Sequence, residues 1–133
     1  MRYHNITKED MLNGDGLRTV LWLAGCSHAC PGCQNPVTWD VKGGLPFDEA
    51  AKEELFEALS PAWISGVTFS GGEPLYQSDF LLSCLKILKG RIHTVVQTSG
   101  FCDEPIFEKV LAAADYFLFD LKLIDERDHI RYT

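Results

Sequence analysis

The chain has 133 residues, 12 of them basic and 19 acidic, for a formal net charge of −7. No stretch gathers Lys and Arg into a stripe, which excludes the electrostatic footprint of a nucleic-acid binder. Hydrophobic residues are 46% and charged residues 23% of the chain, the balance of a soluble domain with one core, and no apolar run reaches the ~18 residues of a membrane span.

The start, "MRYHNITKED", lacks the apolar region of a signal peptide. The expected location is therefore the cytoplasm, where thiols stay reduced and clustered cysteines point to metal or catalysis rather than disulfides. Residues 1–133 read as a single domain.

"LRTVLWLA" (17–24) is a β-rich apolar run and predicts a strand that ends at Gly25 and a cysteine loop. "PFDEAAKEELFEALS" (46–60) predicts a helix with Asp48 as N-cap, Ala51, Leu55 and Leu59 on one face, and Pro61 after the end. "ISGVTFS" (64–70) is a short strand running into Gly71-Gly72. "SDFLLSCLKILKG" (78–90) is a second helix, with Ser78 as N-cap and Gly90 as its stop. "IHTVVQT" (92–98) is a third strand, "DEPIFEKVLAAA" (103–114) a helix capped by Asp103 with Pro105 in its first turn, and "DYFLFDLK" (115–122) a fourth strand.

Strands alternating with helices imply an α/β fold with a parallel sheet. The unusual residues then fall together: the cysteine loop follows strand one, "GGEP" strand two, "TSG" strand three and "DLK" strand four. Parallel strands in βα units bring their C-terminal ends to one rim, where such sheets and barrels build sites.

Three of the five cysteines sit in "GCSHACPGC" (25–33), spaced Cys-x3-Cys-x2-Cys. Cys26, Cys30 and Cys33 suit a structural zinc, with His28 or Cys102 as a fourth ligand, and equally an iron–sulfur cluster. Three ligands on a four-iron cluster would leave one iron open to substrate. Cys84, beside Leu81, Leu85 and Leu88, reads as core packing. The adjacent glycines of "SGGEP" (70–74) are ordinary turn chemistry, and they also allow a backbone edge to approach a ligand. Asp120 and Lys122 share a strand face, and on a central, covered strand such a charged pair points to function. Gln97 and Thr98 end strand three and can add neutral oxygens. His4, His93 and His129 read as surface or satisfied core residues, and Trp22, Trp39 and Trp63 as packing.

Taken together, the cysteine motif after a first strand and "GGEP" after the second resemble the radical S-adenosylmethionine (SAM) superfamily. "NGDGLRT" (13–19), "TSGF" and "DLK" are similar to its glycyl-radical-enzyme activases. The resemblance implies an incomplete parallel (βα) barrel with about four readable strands, and an oxidoreductase. Cys26, Cys30 and Cys33 would hold three irons of a [4Fe–4S] cluster while SAM chelates the fourth. Gly71, Gly72, Glu73 and Pro74 would position the methionyl amino group. Ser99, Asp120 and Lys122 would lie around the cofactor, with Asp120 also at a monovalent-cation site. No separate acid–base residues are implied. A low-potential donor such as a flavodoxin would supply the electron, and the deoxyadenosyl radical would abstract a glycine hydrogen from a partner enzyme.

Two branches are resembled. Residues 3–39 and "GGLPF" are closest to the activating protein of anaerobic ribonucleoside-triphosphate reductase; residues 95–133 are closer to pyruvate formate-lyase activases. Gly32 stands where many superfamily members carry an aromatic beside adenine, and Gln97 where formate-lyase activases often have an acid. The chain stops at Tyr132-Thr133, where the second type continues with further strands, so it reads as a minimal version or a fragment. Loops near the cysteines favour the anaerobic reductase as partner, over a pyruvate formate-lyase-like enzyme. A zinc-stabilised binding module is the alternative of another class.

Overall fold

"RYHNITKED" forms a strand, β1 (Arg2–Asp10), that pairs antiparallel with β2 (Arg18–Leu23). In this computed structural model, which describes residues 1–132, the sheet has six strands in the order β3-β1-β2-β4-β5-β6. The strands β2, β4 (Gly66–Gly71), β5 (His93–Thr98) and β6 (Tyr116–Phe119) run parallel. They are the four expected from sequence. β1 and the two-residue β3 (Leu45–Pro46) add an antiparallel flank that the sequence reading left unassigned. The α/β class and incomplete (βα) barrel stand, but the sheet is mixed. Thr133, the last residue of the expected C-terminal segment, lies outside the described residues.

The alternation of the strands sorts the chemistry by face. Leu21, Leu23, Val67, Phe69 and Val96 point to the helices and form one core with Ala51, Leu55 and Ala58 of α1 (Glu49–Leu59), Leu81, Leu85 and Leu88 of α2 (Ser78–Leu88), and Val110 of α3 (Glu104–Ala113). The intervening residues face the other way, where Arg18 donates to Thr68 Oγ1 and Ser70 donates to Gln97 Oε1.

Asp48 caps α1 as expected, accepting from the Ala51 amide at 3.0 Å. Ser78 is not the N-cap of α2: a 3-10 turn over Pro74–Gln77 leads straight into the helix, so Gln77 takes that place without a side-chain bond. α2 ends at Leu88, and Gly90 reverses the chain at φ +72°. Asp103 occupies the N-cap of α3 without a side-chain bond. A short exposed helix, α4 (Glu126–Tyr132), follows β6 with no buried residue.

β6 is the edge strand of the sheet rather than a central one. Phe119 and Leu121 are 58% and 75% exposed, so the expectation of a strand covered on both faces fails there. Trp63 is likewise no packing residue, being exposed and donating its Nε1 proton to Glu9 at 2.8 Å. His4 is not a satisfied histidine, because among the described residues its buried Nε2 has no hydrogen-bond partner.

Candidate active site at the strand ends

Each parallel strand delivers its last residues to one rim, and there a cavity of about 610 Å³ opens. Its lining includes Cys26, Cys30 and Cys33, Gly71, Gly72 and Glu73, Ser99, Asp120 and Lys122. All the candidate ligand and cofactor residues read from sequence reach this one cavity except Pro74 and Cys102. Pro74 is buried in the adjacent 3-10 turn. Cys102 packs partly buried against the hydrophobic core, as does Cys84. Burial pushes the Cys84 thiol up to about 12, the behaviour of an inert core cysteine.

The cysteine loop is tied at its root. Gly25 and Cys26 donate backbone protons to Thr38 O and Trp39 O at 2.7 and 3.1 Å, and Glu73 N donates to Gly25 O at 2.9 Å. Within the loop Ala29 takes a left-handed conformation at φ +48°, which costs a non-glycine residue about 1–2 kcal/mol. That turn aims the amides of His28 and Ala29 at Cys26. Burial raises the Cys26 thiol pKa, these two amides pull it back, and Glu73 and Cys30 add to the rise. Asn35 N donates to Cys33 Sγ at 3.4 Å. Among the described residues the five cysteines are all free thiols, and no three of His, Cys, Asp and Glu converge closely enough to chelate one ion. His28 turns to Ser99 and Phe101 instead of completing a zinc set. Gly32, in open space at φ +79°, has a backbone that a larger residue would strain.

Gly71 and Gly72 are required by close approach of the chain to itself. A Cβ on Gly71, at φ +112°, would lie 2.4 Å from Leu23 O, and one on Gly72 would lie 2.3 Å from Gly25 O. Glu73 is 4% exposed and its carboxylate is fully engaged. Oε1 accepts from Thr98 Oγ1 and from Leu75 N at 3.1 Å; Oε2 accepts from Ser99 N at 2.9 Å and Ser99 Oγ at 2.7 Å. The glutamate thereby binds the end of β4 to the end of β5. Asp120 and Lys122 form an ion pair at 3.1 Å beyond β6, both partly exposed. They border the cavity and stay open to solvent.

Trp22, Trp39, Asn13 and Thr38 also line the cavity; the two tryptophans were expected only as packing, Asn13 only as part of the 13–19 motif, and Thr38 was given no role. Trp22 alternates with Val20 and Arg18 on the face away from the helices, the one pattern that could have marked it.

A family model described as "4Fe-4S single cluster domain" matches residues 12–130. The pyruvate formate-lyase-activating enzyme of Clostridium pasteurianum is 39% identical over 129 residues, covering 94% of this chain and 54% of that enzyme. The enzyme of the same name from Listeria monocytogenes is 34% identical over 99% of this chain and 57% of its own length. The anaerobic ribonucleoside-triphosphate reductase-activating protein of Escherichia coli K12 is 41% identical over 81 residues, 59% of this chain and 53% of that protein. The chain spans about half the length of these curated relatives. The match from residue 12 to residue 130 takes in every strand of the cavity rim, and by it the chain belongs to the 4Fe-4S single cluster domain family.

Proposed function

We propose that this chain is the catalytic unit of a radical SAM activase that installs a glycyl radical on a pyruvate formate-lyase-like partner. The observation that carries the reading is the cavity itself, where three free thiols on one loop face the Gly71-Gly72-Glu73 turn.

The donor set suits a cluster better than a lone ion. Thiolates that each bind a different iron need not meet at one point, so the lack of a single-ion cage among the described residues fits. Cys26, Cys30 and Cys33 would hold three irons, and backbone N–H groups already directed at Cys26 and Cys33 would stabilise the thiolates. With SAM bound, the cluster these cysteines would hold would supply the electron for reductive cleavage of the sulfonium, the chemistry needed to draw a hydrogen atom from a glycine Cα.

The protein's part is placement. Gly71 and Gly72 leave the β4 turn flat against β2, and Glu73 fixes it to β5, so the cavity wall is rigid where the methionyl group would sit. Asp120 and Lys122 offer a carboxylate and an ammonium at the open side for the cofactor's charged groups, with Asp120 able to take a monovalent cation. Gln97 and Ser99 contribute neutral oxygens. A flavodoxin-like donor would supply the electron.

The anaerobic reductase favoured by the N-terminal motifs gives way as partner. Similarity to formate-lyase activases runs along 94–99% of the chain, whereas similarity to the reductase-activating protein covers 59% of it. Among the described residues no helix is long and apolar enough to cross a membrane.

Two measurements test the reading. Anaerobic reconstitution should load about four iron and four sulfide per chain. Replacing Cys26, Cys30 or Cys33 by Ala should abolish this, while Cys84→Ala should not. Incubation with SAM, reductant and each candidate partner should then give a glycyl electron paramagnetic resonance doublet on the formate-lyase type. One bound zinc without sulfide would refute the cluster; a doublet on the reductase alone would refute the partner.

A further inference from the structure

We propose that His28 is a positioning residue, a latch that holds the cysteine loop closed onto the end of β5 through Ser99. His28 stands between Cys26 and Cys30, and its Nε2 lies 3.2 Å from Ser99 Oγ. Its ring packs on Phe101 with centroids 4.7 Å apart. Ser99 sits in the segment leaving β5, 71 positions away in the chain, so this contact joins the loop to a distant strand.

The direction of the bond follows from proton counting. A hydroxyl has one proton to give, and that of Ser99 goes to Glu73 Oε2 at 2.7 Å. Toward His28 the Ser99 oxygen therefore accepts, and the imidazole carries a proton on Nε2. A relay results: the buried Glu73 carboxylate orients Ser99, and Ser99 orients His28. Glu73 is itself immobilised by Thr98 Oγ1 and Leu75 N, so the relay ends on a fixed point.

The loop needs such a latch. Its left-handed Ala29 is strained, and the amides of His28 and Ala29 must stay aimed at Cys26. Without a hold on its middle, the loop is anchored only at its root. The latch itself is a property of the metal-free chain; its consequence for a bound cluster, slower loss of iron, rests on the function proposed above.

Hydrogen–deuterium exchange of the reduced, metal-free full chain provides the test. His28→Ala should speed exchange of the amides at 27–33 by about three- to tenfold, the worth of one hydrogen bond, with the β2 and β4 amides unchanged. His28→Gln, which keeps an N–H donor of similar reach, should restore much of the protection. On a Ser99→Ala background, His28→Ala should have a smaller effect than it has alone. Unaltered exchange in His28→Ala, or an undiminished effect in the double variant, would overturn the latch. In the loaded protein His28→Ala should release iron to a chelator faster than wild type. A wild-type chain that binds no iron–sulfur cluster sinks the functional reading and leaves the exchange result to judge the latch.

Discussion

Asp115 illustrates how a single side chain at a strand edge becomes a titrating contact. Its carboxylate accepts from Thr94 N at 2.8 Å and Thr94 Oγ1 at 2.9 Å, closing the turn between α3 and β6 against the start of β5. The Thr94 amide chiefly, helped by its hydroxyl and by His93 and Lys89, holds this carboxyl below the usual carboxylate range despite some burial. A group with a lowered folded-state pKa contributes stability above its unfolded pKa of about 3.9, and that contribution fades as pH falls through the folded value. Asp115→Asn should cost under about 1 kcal/mol at neutral pH, because the site is exposed and screened. Urea denaturation of the two proteins should converge as pH drops below the unfolded carboxylate pKa of about 3.9; curves that stay separated would show that charge is not the cause. At this scale the sequence was uneven. The cysteines and Glu73 were legible from spacing and motif, whereas the Asp115–Thr94 and His28–Ser99 contacts join residues with no sequence pattern between them.

Glu73 belongs to the scale of elements, since it joins two strand ends that the chain reaches 25 residues apart. Four donors converge on one buried carboxylate. Glu73→Gln places an NH2 group against a donor, leaves a buried hydrogen-bonding group unmatched, and should cost about 2–3 kcal/mol. The loss should show as a lower urea midpoint and as faster exchange at the ends of β4 and β5 even without a cofactor. Full stability in that variant would mean the carboxylate is dispensable to the fold and reserved for ligand. α1, α2 and α3 were legible at this scale because each carries an apolar stripe and at least one boundary signal; α4 was not, since it buries no residue. β1 was not, since only Tyr3 and Ile6 of its nine residues are buried and its pairing with β2 is broken by two register shifts. A strand that half-covers a sheet flank has little reason to alternate strongly.

Across the whole molecule, Arg18 ties together the N-terminal ends of the parallel strands. It is 2% exposed, and no salt bridge among the described residues includes it. Its guanidinium donates to Thr68 Oγ1 and Val67 O at 2.9 Å, His93 O at 3.1 Å and Asp15 O at 3.3 Å. One side chain thus spans β2, β4, the start of β5 and the 11–17 loop, whose Asn13 O accepts from Thr68 Oγ1. Burial lowers its pKa, with Asp15 opposing. Arg18→Met removes these bonds while keeping the apolar stem, and should destabilise by about 2–4 kcal/mol, read from the urea midpoint. Iron binding by the protein that remains folded should be unchanged. A variant as stable as wild type would show that the carbonyls find other partners.

The order of the four parallel strands and of α1, α2 and α3, the parallel core of the sheet and the gathering of the cysteine loop, the glycine turn and the β5 and β6 ends on one rim were determined by the sequence alone. Periodicity specifies strands and helices locally, and βα alternation forces their C-terminal ends to one side. Tertiary structure alone decided that β6 is an edge, that Asp120 and Lys122 are open to solvent, and that Gly71 and Gly72 are demanded by the neighbouring backbone. It also decided that Glu73 is a buried tie between strands. The reason is physical: local pattern records what a residue prefers, while burial and hydrogen-bond partners depend on which distant segment packs against it.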